Sequence, residues 1–117
     1  MEVIVKENTN IAEIQHNAVV LSTAQDAVEI LANVLYQGVD KLILHEENIT
    51  PEFFDLRTGI AGEILQKFSN YQGYLAIVGD FSKYTSKSLQ DFIRESNKQG
   101  RIVFVSTVDE AVAALSK

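Results

Sequence analysis

The segment His45-Glu46-Glu47-Asn48 carries the residue types best suited to chemistry, and it directly follows the apolar run Leu42–Leu44. Two carboxylates beside an imidazole could bind a hard cation or act as general acid and base. Because adjacent residues of an extended chain point to opposite sides, Glu46 and Glu47 could meet one ligand only if the chain turns. The simplest interpretation is structural, with one carboxylate capping a helix or paired with Arg57 and the other in water. A partner-binding surface is the second interpretation, and a metal or catalytic site is the third.

The rest of the sequence does not complete a catalytic or cofactor site. We expect His45 to end a strand half-buried, with one ring nitrogen bonded to the backbone. The spacing assembles no Ser-His-Asp constellation. The glycines at Gly59 and Gly62 lack the following lysine of a phosphate-binding loop. The sequence therefore predicts no catalytic residue, no metal and no cofactor, and it favours a protein that is not an enzyme.

A second polar segment, from Asp80 to Lys87, also follows an apolar run. Lys83 beside Tyr84 could hold an anionic ligand. The alternative is a solvated loop, as connecting segments usually are.

The segment that starts at Thr50-Pro51-Glu52 predicts a helical turn, since threonine can cap it and proline suits its first position. We expect the ring of Phe53 or Phe54 to enter the core, and if both rings cannot, the other adds to an exposed apolar patch of the kind that marks partner surfaces. Asp55 can act as a second N-cap, so that the helix proper runs from about Leu56 to Ser69.

Gly59 and Gly62 fall near the start of that predicted helix. Glycine costs about 1 kcal/mol relative to alanine in a helix interior. Close packing of the helix on a neighbouring element would explain the pair. Close approach of a partner backbone or a ligand is the alternative explanation for the two glycines.

Four continuous apolar runs predict strands that are buried on both faces. They are 18–21, 42–44, 74–78 and 102–105. Helical periods follow each run, and Gly38, Gly73 and Gly100 stand where left-handed helix ends are expected. This alternation predicts one α/β domain over residues 1–117, with a largely parallel sheet and about four helices. Val3–Lys6 and Ile11–Ile14 predict an antiparallel ribbon at the sheet edge.

Composition sets limits on function. The 117 residues carry a net charge of −6 and include no cysteine. The acidic balance disfavours nucleic-acid binding by the chain itself, and the lack of cysteine excludes thiol catalysis. No apolar run approaches the ~20 residues of a membrane span, and the N-terminus lacks the features of a signal peptide. We therefore expect a cytoplasmic protein.

Three segments resemble the STAS domain, the fold of anti-sigma-factor antagonists and of the cytoplasmic tails of sulfate transporters. They are Lys41–Thr50, the turn Asp55-Leu56-Arg57-Thr58-Gly59-Ile60, and Val108–Val112. The resemblance implies a regulatory role and a phosphorylation site at Thr58, where that family has serine. Two blocks, 45–70 and 77–97, also resemble a bacterial family catalogued only as a domain of unknown function.

Together these observations predict a non-enzymatic regulatory or protein-binding module of STAS-like fold. The alternative is a small-molecule or metal-binding protein, or a small enzyme, with its site at the strand carboxyl ends. A homodimer formed through an edge strand, either in the N-terminal ribbon or at 102–105, is a third possibility. The main rival for the strand order is the doubly wound, flavodoxin-like sheet.

Overall fold

A five-stranded mixed sheet forms the centre of the protein, whose structure, a computed structural model, describes residues 2–116. The strands lie side by side in chain order: β1 (Glu2–Val5), β2 (Ile11–Gln15), β3 (Lys41–His45), β4 (Tyr74–Val78) and β5 (Ile102–Val105). β1 is antiparallel to β2, and the other neighbours are parallel. The α/β prediction is therefore confirmed, and the strand order differs from the flavodoxin-like alternative.

Three of the four helices pack on one face of this sheet. They are α1 (Ala24–Tyr36), α2 (Ile60–Asn70) and α3 (Lys87–Gln99), and their apolar sides share one core with alternate residues of the strands. Because each crossover advances by one strand in the same direction, connections of one hand place all three helices together. The side chains of Thr23 and Ser86 cap α1 and α3.

The fourth helix, α4 (Val108–Leu115), packs alone on the opposite face. Its Ala111 and Leu115 meet Ile43, Ala76 and Val103 of the three strands β3 to β5. This arrangement explains the continuous apolar runs of β3, β4 and β5, since both faces of these strands are covered.

The prediction of a strand at Ala18–Leu21 was wrong. The strand before α1 is β2, which is an interior strand rather than part of an edge ribbon, so only β1 lies at that edge. The segment 18–21 forms an isolated bridge between Leu21 and Ile49, and Val20 N and Leu21 N donate to the Asn48 carbonyl. Its apolar residues cover the end of the core instead of extending the sheet.

The predicted helix from Leu56 to Ser69 was also wrong at its start. Leu56–Thr58 is a separate 3₁₀ turn capped by Asp55, and α2 begins only after Gly59, whose φ of +78° is left-handed. Gly38 and Gly100 have the predicted positive φ, but Gly73 does not. Gly73 is needed for space, because an added Cβ would lie 2.4 Å from Leu31 Cδ2.

The parallel strands gather four loops at their carboxyl end, and β1 and β5 form the two edges of the sheet. Within residues 2–116, no helix combines the length and the apolar composition needed to cross a bilayer.

Candidate functional site

A cleft of about 400 Å³ opens at the carboxyl end of β3, and we refer to it as the carboxyl-edge cleft. The chain turns into a 3₁₀ helix at Glu46–Asn48 directly after the strand, so that Glu46 and Glu47 both line the same cleft. This is the turn that the sequence required for the two carboxylates to meet one ligand. The lining residues are Val19, Glu46, Glu47, Ile49, Pro51, Phe54, Lys83 and Tyr84.

Glu46 is the polar centre of the cleft. Its Oε2 accepts a hydrogen bond from the Tyr84 hydroxyl and lies 2.8 Å from Lys83 Nζ. The Glu46 side chain is 18% exposed, whereas that of Lys83 is 55% exposed. The expectation that Glu46 or Glu47 pairs with Arg57 was wrong, because Arg57 forms its ion pair with Asp55, two residues away.

The environment of Tyr84 keeps its hydroxyl protonated. Burial and the hydrogen bond to the Glu46 carboxylate both raise the pKa of Tyr84 well above its ordinary value. A tyrosine held in this form donates a hydrogen bond to a fixed acceptor and does not serve as a base near neutral pH. The Glu46–Lys83–Tyr84 group is therefore suited to shaping and charging a binding surface.

An aromatic cluster packs against this group. The Phe54 ring stacks on the Tyr84 ring at a centroid distance of 4.9 Å, and the centroid of the Phe81 ring lies 5.9 Å from that of Phe54 and 6.5 Å from that of Tyr84. Phe53 is fully buried and meets Phe54 edge-on. Both rings of the Phe53–Phe54 pair are thus buried, so the predicted exposed aromatic patch does not form. Phe54 instead contributes the apolar wall of the cleft.

Asn48 has a structural role. It is fully buried, its Nδ2 donates to the carbonyls of His16 and Ala18, and its Oδ1 accepts from the His45 amide. These bonds fasten the segment before Leu21 to the end of β3. The side chain of Asn48 therefore holds Val19, one wall of the cleft, in place.

His45 lies on the other face of the sheet, away from the cleft. Its Nε2 is 2.8 Å from Glu13 Oε2, and Lys6 Nζ is 3.0 Å from Glu13 Oε1. The partner of Nε2 is therefore a carboxylate, because β2 is an interior strand and places Glu13 beside β3. The β2 strand was assigned to the edge, so Glu13 went unnoticed in the sequence.

The other predicted site residues lie on the same end of the molecule but outside the cleft. Asp80 is exposed and accepts from the amide and hydroxyl of Ser82. The Thr58 hydroxyl donates to the carbonyls of Glu52 and Asp55. Gly59 and Gly62 line a separate groove of about 500 Å³ beside the start of α1.

Sequence reasoning missed four residues of the cleft region: Val19, Ile49, Pro51 and Gly79. Val19 was assigned to a strand, yet its side chain is 45% exposed. Gly79 follows β4 and gives Glu46 the room to approach. The glycine of Val78-Gly79-Asp80, directly after a predicted strand, was the available signal in the sequence.

The charge around this end of the sheet is strongly acidic. The loops and first helical turns here carry nine acidic residues, Asp26, Glu46, Glu47, Glu52, Asp55, Glu63, Asp80, Asp109 and Glu110, against three basic ones, Arg57, Lys83 and Lys87. Acidic side chains at helix N-termini are favoured by the helix dipole, which accounts for Asp26, Glu63, Asp109 and Glu110. Glu47 has no such explanation, and it forms no ion pair within residues 2–116. Among those residues, no group of three or more histidines and carboxylates is arranged to hold a metal ion.

Comparison with protein families identifies the family of the chain. The sequence model of a family described as "Domain of unknown function (DUF4180)" matches residues 6–115. No curated protein matches the chain.

Proposed function

The chain belongs to the family of the domain of unknown function DUF4180, and we propose that it is a non-enzymatic regulatory module that binds a partner protein in the carboxyl-edge cleft. The observation that carries this proposal is the composition of the cleft. Val19, Ile49, Pro51 and Phe54 give it apolar walls, and Glu47 gives it a carboxylate without an internal partner.

The chemistry of the cleft defines the partner. An apolar side chain would fill the space beside Phe54, and a neighbouring lysine or arginine would meet Glu47. The acidic surroundings would favour the approach of such a basic segment. We therefore propose a partner segment that presents an apolar residue next to a basic one.

The candidate acid–base groups support binding rather than catalysis. Glu46 is already paired with Lys83 and Tyr84, and His45 lies on the opposite face of the sheet. Catalysis requires a group that can exchange a proton with the substrate within hydrogen-bond reach. No two free groups of this kind converge in the cleft within residues 2–116.

The regulatory part of the proposal concerns Thr58 and the STAS-like topology. Thr58 is exposed, lies directly before Gly59 and α2, and its hydroxyl closes the turns from Glu52 to Asp55. A phosphate there would lie near the positive end of the α2 dipole but would remove the hydroxyl as a donor. The turns that carry Phe54 would then rearrange. Phosphorylation of Thr58 would thus change the cleft, as the resemblance to bacterial anti-sigma-factor antagonists of the cytoplasm implies.

A peptide selection tests the proposal. A library of random peptides is selected against the full chain, and the affinity of each selected peptide is measured by fluorescence anisotropy. We expect peptides in which an apolar residue adjoins lysine or arginine. Val19→Glu should weaken their binding at least about tenfold, because it places a charge on an apolar wall.

Val5→Glu is the matched control. Val5 and Val19 are each 45% exposed, but Val5 lies on β1, outside the cleft. The control should bind the peptides as the wild type does. Equal binding by the Val19→Glu variant, or peptides without a basic residue, would contradict the proposal.

A small-molecule ligand in the same cleft is the second candidate function. The volume of about 400 Å³ falls within the range of small-molecule sites. Melting temperatures measured with nucleotides, acyl compounds and divalent metals distinguish this candidate. A ligand at 100 times its dissociation constant would stabilise the fold by about 2.7 kcal/mol. If no compound shifts the melting temperature, the small-molecule candidate is excluded.

A further inference from the structure

At the amino end of the sheet, the face that carries α4 presents a row of two cations and one aromatic ring. Lys41 pairs in register with Tyr74, and Arg101 directly precedes β5, next to Tyr74. The Arg101 guanidinium carbon lies 4.3 Å from the centroid of the Tyr74 ring, and Lys41 Nζ lies 5.9 Å from it. We refer to Lys41, Tyr74 and Arg101 as the amino-edge row.

A cavity of about 560 Å³ lies beside this row. Lys41, Tyr74 and Lys98 contribute to its polar side, and Val103, Ala114 and Leu115 form an apolar floor. The cavity is at the opposite end of the sheet from the carboxyl-edge cleft. Its volume fits a small organic molecule.

The two cations of the row have no ion-pair partner. Within residues 2–116, neither Lys41 nor Arg101 forms an ion pair. Asp40 also lines the cavity, but its Oδ1 accepts a 2.6 Å hydrogen bond from the uncharged Asn10 amide and pairs with neither cation. Two adjacent cations without an ion pair are unexpected in a chain whose net charge is −6.

Helix dipoles account for only part of this charge. Lys98 lies in the last turn of α3, where a cation is favoured by the negative end of the helix. Lys41 belongs to a strand, and the Arg101 guanidinium makes one hydrogen bond within residues 2–116, from Nη1 to the Gly73 carbonyl at 3.0 Å. The remaining guanidinium donors and the Lys41 ammonium are available to an anion.

We propose that this cavity binds a small organic anion, a phosphate monoester or a carboxylate. Its anionic head would accept a charge-assisted hydrogen bond from Lys41, which lines the cavity, and a second one from Arg101, which lies outside the lining but directly follows the lining residue Gly100. Its apolar body would lie on Val103, Ala114 and Leu115. The site is independent of the proposed partner cleft, because it shares no residue with that cleft.

NMR titrations of the full chain, labelled with ¹⁵N, test this proposal with phenyl phosphate, benzoate, inorganic phosphate and benzyl alcohol. We expect phenyl phosphate or benzoate to shift the amide signals of Gly100, Val103 and Leu115. The tighter of the two identifies the head group. Inorganic phosphate should bind more weakly because it lacks the apolar body, and benzyl alcohol should bind more weakly because it lacks the charge.

Lys41→Gln should weaken binding of the preferred anion at least about tenfold. Lys67→Gln is the matched control, since it removes the same charge from the last turn of α2, on the other face of the sheet, and should leave the affinity unchanged. Ala114→Glu is a second variant that places a negative charge in the cavity wall and should abolish binding. The ¹⁵N spectrum of each variant reports whether it is folded.

The proposal is overturned if neither anion binds more tightly than benzyl alcohol. It is also overturned if Lys67→Gln weakens binding as much as Lys41→Gln, because the effect would then reflect net charge alone. Unchanged binding by a folded Ala114→Glu variant would likewise exclude this cavity as the site.

Discussion

Glu46 packs against the bare Cα of Gly79. A Cβ added to Gly79 would lie 2.7 Å from Glu46 Oε1, 2.8 Å from Glu46 Cβ and 3.2 Å from the Phe81 ring. The carboxylate tip could swing away from such a contact, but the Glu46 Cβ is fixed by the backbone. The loop after β4 therefore requires glycine so that Glu46 can reach Tyr84 and Lys83.

We expect Gly79→Ala to lower the free energy of unfolding by about 1–3 kcal/mol, because overpacking must displace the backbone of one of the two segments. The same displacement should weaken peptide binding in the carboxyl-edge cleft. Denaturant unfolding measures the first effect, and fluorescence anisotropy measures the second. A variant as stable as the wild type would show that the two segments separate without cost.

Gly62 and Gly59 make a contrasting pair at the start of α2. Apart from the adjacent helix backbone, no heavy atom of residues 2–116 lies within 4 Å of a Cβ added to Gly62. Gly62→Ala should therefore raise the free energy of unfolding by about 0.5–1 kcal/mol, through helix propensity alone. Gly59→Ala should lower it by about 1–2 kcal/mol, since the φ of Gly59 is +78°. Thermal unfolding of the two variants measures both changes, and a shift of the same sign in both would contradict this assignment.

The buried amide of Asn48 joins three backbone groups of two segments. Asn48→Ala would leave the His45 amide and the carbonyls of His16 and Ala18 without this partner. We expect the free energy of unfolding to fall by about 3 kcal/mol, since each unsatisfied buried group costs about 1–3 kcal/mol. Denaturant unfolding measures the loss. Asn33→Ala on the exposed side of α1 is the control and should change stability by less than about 0.5 kcal/mol.

The parts of the fold that follow from local chemistry could be predicted from the sequence. Continuous apolar runs identified β3, β4 and β5, and the helical periods that follow the runs identified the helices. These signals work because a strand covered on both faces needs apolar residues throughout, and because a helix that packs on a sheet needs an apolar side that recurs at the helical period.

The parts that depend on tertiary hydrogen bonds could not be predicted. Ala18–Leu21 has the composition of a buried strand, but Asn48 binds this segment through its carbonyl and its side chain. β2 was assigned to an edge as part of a short, polar ribbon, although Lys6, directly after β1, and His45 of β3 pair with Glu13 and allow its burial. Both errors affected the prediction of the cleft, since Val19 lines it and β2 sets the order of the sheet.

The ion pairs of Glu13 make stability depend on pH in the acid range. Burial raises the pKa of Glu13, but hydrogen bonds from His45 and Lys6 outweigh burial and bring the pKa below its ordinary value of 4.5. Because the folded state binds this proton less tightly than the unfolded state, the ionised carboxylate stabilises the fold above pH 4.5. That stabilisation is lost as the pH falls through the lowered pKa.

Glu13→Gln lacks this contribution at every pH. We expect the wild type to be more stable than Glu13→Gln at neutral pH, and the difference to shrink as the pH falls below 4.5. Denaturant unfolding of both proteins over this range measures the difference. A difference that is independent of pH would show that Glu13 acts through packing rather than charge.

The contribution of Tyr84 to stability should show the opposite dependence on pH, in the alkaline range. Burial and then the hydrogen bond to Glu46 raise the pKa of Tyr84 above its ordinary value of 10.0. The folded state therefore holds this proton more tightly than the unfolded state, so the stabilisation is complete below pH 10.0 and is lost as the pH rises through the raised pKa.

Tyr84→Phe keeps the ring stacked on Phe54 but leaves Glu46 without its hydroxyl donor. We expect Tyr84→Phe to lack the highest-pH part of the tyrosine absorbance titration, and to lose less stability than the wild type between pH 10.0 and the alkaline unfolding transition. Absorbance and circular dichroism recorded on the same samples test both expectations, and identical alkaline titrations of the two proteins would place the Tyr84 hydroxyl in solvent rather than on Glu46.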